Sequence, residues 1–99
     1  MIDRDDWLPV GSVVRLEEGE RPIMVAGFMA QDGNTGRYWD YVGYPYPEGD
    51  QGKGEWSFDK DMVAEVRLIG YLDGMGCLFS EYLDDKTGEF EQIKAVSGR

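Results

Sequence analysis

The feature of this sequence that most constrains its fold is an uncharged run of ten residues, Pro22–Gln31. An exposed strand alternates polar with apolar residues, and this run does not alternate, so it predicts a strand in the middle of a sheet. Turn-forming residues at 32–36 lead into a second β-prone run at 37–44, which predicts an antiparallel hairpin. Gly27, inside the first run, predicts a β-bulge or a close approach of two backbones.

Short strands and loops are predicted for the segments on either side of this hairpin. Residues 12–16 hold two valines and a leucine and predict a first strand. Residues 45–54 hold two prolines and three glycines, which predict a loop. A short strand at 55–58 precedes Asp59, which is a suitable N-cap for one helical turn, and a last strand is predicted at 65–71.

The C-terminal residues, 76–96, are compatible with two structures. An apolar stripe at helical period favours a helix, and its members are Leu78, Phe79, Tyr82 and Leu83. Residues 84–88 would alternatively form the turn of a β-hairpin. We favour the helix.

Together these segments predict an α+β fold, mainly antiparallel β, with about five strands in a curled sheet or small barrel, a short helical turn and a C-terminal helix. The length of 99 residues is that of one domain. We expect a flexible N-terminal arm at residues 1–7 and a single globular domain at residues 8–99. The predicted core consists of Val13, Leu16, Ile23, Val25, Phe28, Val42, Phe58, Val66, Leu68 and Leu83.

The charge balance narrows the class of partner. Twenty acidic and ten basic residues give a formal net charge of -10, which repels phosphate backbones and anionic lipids. We therefore expect neither nucleic acid nor a membrane as a partner. Cys77 is the only cysteine, so it forms no internal disulfide, and we expect it to be a small buried hydrophobe in a cytoplasmic protein.

The chain contains no histidine, which removes the usual general base and the commonest metal ligand. No acidic segment follows the spacing of a calcium loop, and no glycine-rich segment has the spacing of a phosphate loop. We therefore expect no enzymatic activity, no catalytic residue, no metal site and no cofactor.

Aromatic residues are concentrated around the loop at 45–54. Tyrosine and tryptophan combine a large contact area with a polar group, which suits them to protein interfaces. They would equally well cap a small core that has few aliphatic residues. The candidate partner-binding residues from this cluster are Tyr38, Trp39, Tyr41, Tyr44, Tyr46 and Trp56.

Five segments of the chain, read in order, resemble a small bacterial family, the domain of unknown function 4176. The two most specific are Leu8-Pro9-Val10-Gly11-Ser12-Val13-Val14 and the segment from Asp40 to Gly49, with the resemblance extending over residues 8–72. The tyrosine-proline-glutamate-glycine element of that family corresponds to residues 46–49, which adds Glu48 to the candidate partner-binding residues.

The resemblance implies a setting beside type VII secretion in Gram-positive bacteria, and no catalytic residues. It leads us to expect a non-enzymatic accessory protein, chaperone-like or a targeting adaptor, for an LXG-type toxin or its helical accessory proteins. Two alternatives stay open: an immunity protein that neutralises a toxin domain, and a small-ligand binder with a pocket among Tyr38, Tyr44 and Trp56. The sequence does not determine the oligomeric state.

Overall fold

The computed structural model describes residues 2–97 and shows an antiparallel sheet followed by one long helix. This confirms the predicted α+β class, and residues 76–96 are helical, as favoured, rather than a hairpin. A 3₁₀ turn, Lys60–Met62, lies between the last two strands. The other elements are β1 (Val13–Leu16), β2 (Pro22–Gln31), β3 (Tyr38–Pro45), β4 (Trp56–Phe58), β5 (Val63–Leu68) and α1 (Gly74–Val96).

The sheet has the order β4-β3-β2-β1-β5, and every neighbouring pair is antiparallel. In a flat sheet the two edge strands would lie about 19 Å apart, at about 4.8 Å per strand. Only residues 59–62 join the end of β4 to the start of β5, and three of them form the compact 3₁₀ turn. The sheet is therefore strongly curled, but its edges do not pair, so it is not a closed barrel.

The hairpin of β2 and β3 forms as predicted, with a bulge beside Gly27. Val25 lies opposite Gly43, whereas Gly27 lies opposite Val42, so one extra residue is inserted in β2. A Cβ atom on Gly27 would lie 2.9 Å from Cγ2 of Val42. The absence of a side chain at Gly27 thus permits the close approach of the two strands.

The predicted core is correct at most positions. Five of its members are buried, namely Val13, Ile23, Val25, Phe58 and Leu83. Four are half-buried, namely Leu16, Phe28, Val42 and Val66. The prediction is wrong for Leu68, which is 56% exposed because it is the last residue of an edge strand. The buried residues that the prediction missed are Trp7, Leu8, Val14, Tyr41, Val63 and Phe90.

The segment expected to be a flexible arm contributes to this core. Trp7 is only 3% exposed, and its Nε1 donates a hydrogen bond of 3.0 Å to Oγ1 of Thr87 in α1. The Lys60 ammonium lies 3.9 Å from the centre of the Trp7 ring, and Ile2 packs against the same core. Ile2 and Trp7 of this segment are thus packed against the domain, whereas Asp3, Asp5 and Asp6 are exposed. Met1 lies outside the described residues.

Helix α1 begins after Asp73, whose carboxylate accepts a hydrogen bond of 2.9 Å from the backbone N–H of Gly76. The buried residues of α1 are Leu83, Phe90 and Lys94, which are spaced to lie on one face. Cys77 is exposed, which corrects its prediction as a buried residue. The predicted apolar stripe is also only partly buried, because Leu83 is the one of its four members that is buried.

Candidate partner-binding surface

The structure distributes the candidate residues over the interior, the sheet and one loop. Tyr38, Trp39 and Tyr44 are half-buried on β3, and the ring of Tyr38 contacts that of Phe90 in α1 at 6.2 Å between centroids. The guanidinium of Arg37 lies 4.7 Å from the centre of the Trp39 ring. The two most exposed aromatic candidates are Tyr46, at 53%, and Trp56, at 46%.

Tyr41 lies in the interior and is not available to a partner. Its ring is fully buried and stacks on Phe58 with the centroids 5.2 Å apart. Its hydroxyl accepts a hydrogen bond of 2.8 Å from the N–H of Leu8 and donates one of 3.2 Å to the carbonyl of Asp6. Tyr41 therefore attaches the N-terminal segment to the sheet.

Burial raises the pKa of the Tyr41 phenol far above its ordinary value, because the phenolate would lose its hydration. The pKa of Tyr41 is higher in the folded than in the unfolded state. The neutral phenol therefore contributes its full share to the free energy of unfolding below pH of about 10, and this contribution is lost as the pH rises further. We expect the free energy of unfolding, measured with urea, to decrease with pH above about 10.5 in both proteins, but less steeply in Tyr41→Phe than in the wild type. The two slopes should differ by up to about 1.4 kcal/mol per pH unit. At pH of about 7 the variant should be less stable by about 1–3 kcal/mol, because the Leu8 N–H loses its acceptor.

The matched control for this prediction is Tyr46→Phe, since Tyr46 is largely exposed. It should follow the pH profile of the wild type. Parallel alkaline profiles for Tyr41→Phe and the wild type would show that ionisation of Tyr41 is not linked to unfolding.

The loop that carries Tyr46 and Glu48 is tied to the start of β2. The N–H of Tyr46 donates a hydrogen bond of 2.9 Å to the carbonyl of Pro22, and the peptide bond between Tyr46 and Pro47 is cis. Glu48 forms an ion pair with Arg21, and the hydrogen bond from that guanidinium lowers the pKa of the Glu48 carboxyl. The loop thus presents Tyr46 from an anchored backbone.

Trp56 borders a cavity of about 590 Å³, which is lined by residues 16–19, 56–57 and 61–62. Leu16 and Met62 supply apolar lining, and three carboxylates belong to the same lining, namely Glu17, Glu18 and Asp61. The predicted pocket among Tyr38, Tyr44 and Trp56 is not this cavity, because neither tyrosine lines it. The cavity suits an apolar group that carries a positive charge better than an anionic ligand.

The N-terminal part of α1, with Tyr71 just before it, presents a second apolar surface; the sequence analysis used Leu78, Phe79 and Tyr82 of this surface only to predict a helix. We call it the apolar helix face; its members are Tyr71, Met75, Leu78, Phe79 and Tyr82. Their exposed fractions range from 47% for Phe79 to 83% for Tyr71. Phe79 stacks on Tyr82 at 6.0 Å and contacts Phe28 at 5.6 Å, so the exposed rings continue onto the sheet. Contiguous exposed apolar area of this kind is typical of protein-binding surfaces.

A buried charge cluster joins the other end of α1 to the sheet. Nζ of Lys94 lies 2.8 Å from Oδ1 of Asp40 and 3.7 Å from Oδ1 of Asp59, and all three side chains are almost fully buried. Oδ1 of Asp59 also accepts a hydrogen bond of 3.0 Å from the N–H of Asp40. On the solvent side, Glu91 lies 3.2 Å from the same ammonium.

Burial alone lowers the pKa of Lys94, but the hydrogen bond to Asp40 and the charges of Asp40 and Asp59 raise it above its ordinary value. The ammonium therefore stays protonated and its donors are directed at carboxylates. A lysine in that state neither attacks a substrate nor accepts a proton, so the cluster is suited to holding the helix rather than to catalysis. Within residues 2–97, no three acidic or thiol side chains are grouped closely enough to bind a metal ion.

Helix α1 lacks the sustained apolar length needed to cross a bilayer, and no other helix among residues 2–97 has it either.

Comparison with protein-family models finds a match to "Domain of unknown function (DUF4176)" over residues 7–79. The match covers the sheet and the first turns of α1, including Tyr71, Met75, Leu78 and Phe79 of the apolar helix face. Comparison with curated proteins and with solved structures found no significant match.

Proposed function

We propose that this chain, which belongs to the DUF4176 family, is a non-enzymatic accessory protein that acts by binding another protein. The observation that carries the proposal is the apolar helix face, where five large side chains are each about half exposed or more. Leaving that much apolar surface in water is unfavourable, at about 25 cal/mol per Å². A binding partner would remove this cost.

The charge of the chain supports a basic partner. With a net charge of -10, the protein attracts positively charged surfaces over distances of about 10 Å at moderate salt and speeds their association. The exposed Tyr46 and Trp56, with the acidic lining of the cavity beside Trp56, are compatible with a second contact region.

The resemblance noted from the sequence supplies the class of partner that we propose. It associates such chains with type VII secretion in Gram-positive bacteria, so we propose an LXG-type toxin, or one of its helical accessory proteins, as the partner. In this role the chain would act in the cytoplasm as a chaperone or targeting adaptor, before export of the toxin.

Co-expression tests this proposal directly. The tagged chain should capture an LXG-type protein encoded beside it, and the complex should remain intact during size-exclusion chromatography. An unrelated acidic protein with the same tag is the control for capture by charge alone. Repeated failure to capture any neighbouring LXG-type protein would contradict the proposal. Inhibition of the toxin domain without an effect on secretion would instead identify an immunity protein.

A further inference from the structure

One exposed side of α1 carries a regular pattern along the whole helix. Starting at Met75, alternating steps of four and three residues lead through seven positions to Val96. We call these positions the seam; they are Met75, Phe79, Tyr82, Lys86, Glu89, Ile93 and Val96. Alternating steps of four and three are the repeat by which two helices pack side by side, with an average of about 3.5 residues per turn.

Most of the seam is left open by its own domain. Its five apolar residues are all exposed, from 42% for Ile93 to 86% for Val96, although the ring of Phe79 also contacts that of Phe28 in the sheet. The buried residues of α1 are Leu83, Phe90 and Lys94, none of which is a seam position. The helix thus has one face packed against the sheet and, beside it, a face that is mostly open.

Two charged residues lie at the middle of the seam. Nζ of Lys86 is 4.0 Å from Oε1 of Glu89, and both side chains are substantially exposed. Polar residues at seam positions reduce stability but select the register and the partner of a helix pair. Lys86 and Glu89 would therefore select a helix that brings an acid opposite the lysine and a base opposite the glutamate.

The overall charge of α1 and of the chain indicates what kind of partner helix the seam would bind. Helix α1 has five acidic residues, namely Glu81, Asp84, Asp85, Glu89 and Glu91. Of its two lysines, Lys94 is buried in the charge cluster, so Lys86 alone offsets them at the surface. A second copy of this chain would bring a second acidic helix and a further net charge of -10, which disfavours self-association.

Resting on the proposed function, we infer that the seam docks one α-helix of the partner protein, with apolar residues at a 3.5-residue repeat and a net positive charge from lysine or arginine beside them. The apolar residues of that helix would cover those of the seam. Its positive charge would be attracted by the acidic chain and by Asp85, which borders the seam on the side away from the buried Leu83 and Phe90. This is a coiled-coil-like contact about three heptads long.

Two labelled helical peptides test the inference on the full chain. Both are about three heptads long, with leucine at the seam positions and an acid and a base placed opposite Lys86 and Glu89. One has lysine along its flanks and the other has glutamate. By fluorescence anisotropy, the basic peptide should bind at least about tenfold more tightly than the acidic one, and the difference should decrease with salt. Equal affinities would overturn the inference.

Paired variants locate the binding on the helix. Met75→Glu/Tyr82→Glu places two charges in the seam at exposed positions and should weaken binding of the basic peptide at least about tenfold. Gly88→Glu/Ala95→Glu adds the same charge at exposed positions away from the seam and should change the affinity less than about threefold. A Cβ on Gly88 meets open space, so this control fits the fold. Equal losses in both variants would overturn the inference.

Analytical ultracentrifugation of the chain alone should show a monomer. A dimer that dissociates in Met75→Glu/Tyr82→Glu would mean that a second copy occupies the seam, and would overturn the inference.

The same seam variant separates this inference from the proposed function. If the wild type and the variant capture an LXG-type protein equally well, the inference about the seam is overturned and the proposed function stands. Seam-dependent binding of the basic peptide, with no capture of an LXG-type protein, would contradict the proposed function and support the seam.

Discussion

Replacing Lys94 by methionine is expected to lower the free energy of unfolding by about 3 kcal/mol or more. The substitution keeps much of the side-chain volume but leaves Asp40 and Asp59 without their common counter-ion, in a site where both are almost fully buried. Removing one partner of a buried ion pair costs about 3–5 kcal/mol, because the remaining charge keeps its desolvation penalty. Two carboxylates would be left here, and their mutual repulsion adds to the loss.

Urea unfolding monitored by circular dichroism measures this loss. The matched control is Lys86→Met on the same helix, where the pairing with Glu89 is on the surface and contributes less than about 1 kcal/mol. The double variant Lys94→Met/Asp40→Asn should recover part of the lost stability, because one of the two neighbouring carboxylate charges is gone. A loss below about 1 kcal/mol for Lys94→Met would show that the cluster does not hold α1 to the sheet.

Replacing Gly43 by alanine is expected to lower the free energy of unfolding by about 3 kcal/mol, through overpacking. Gly43 lies in β3 between two paired strands, opposite Val25 on one side and Trp56 on the other. A Cβ atom there would overlap the carbonyl oxygen of Met24 and would lie 2.8 Å from Cγ2 of Ile23. Both obstacles belong to the central strand β2, so neither moves without disturbing the sheet.

The control for this prediction is Gly33→Ala in the exposed turn between β2 and β3, where a Cβ meets no atom within 4 Å. It should leave the stability within about 0.5 kcal/mol of the wild type. If Gly43→Ala also changes the free energy of unfolding by less than about 0.5 kcal/mol, β2 and β3 do not approach each other as closely as the structure shows.

The elements that sequence patterns predict well here depend on neighbours in the chain. The hairpin of β2 and β3 follows from an uncharged run, a turn and a second β-prone run, all within residues 22–45. The helical turn after Asp59 and the C-terminal helix likewise follow from capping and apolar period. Each signal is local, so tertiary contacts reinforce it without having to create it.

The contacts that escape prediction are those between distant residues. Lys94 meets Asp40 across 54 positions, and nothing in the composition of either segment indicates that pairing. Trp7 is an isolated aromatic residue in an acidic segment, so its burial depends on a helix that comes much later in the chain. Long-range packing of this kind leaves no periodic trace in a single sequence.

The candidate site was predicted only in part, for a related reason. The aromatic cluster included Tyr46 and Trp56, which are exposed, but it also included Tyr41, which is interior. The apolar stripe at Leu78, Phe79 and Tyr82 was visible in the sequence, but it was used only to predict a helix and not a binding surface. An apolar stripe shows that a helix face avoids water, but it does not show which molecule covers that face.

The hydrogen bond between Trp7 and Thr87 links positions 80 residues apart and so bears on the order of folding. Closing a loop of that length costs conformational entropy before any native contact compensates for it, and contacts at such separations slow folding. We expect the hairpin of β2 and β3 to form early, and the joining of the N-terminal segment to the helix to be the last step. Until that step, Trp7 and the core surface that it covers stay exposed to water, which makes this late intermediate prone to aggregate.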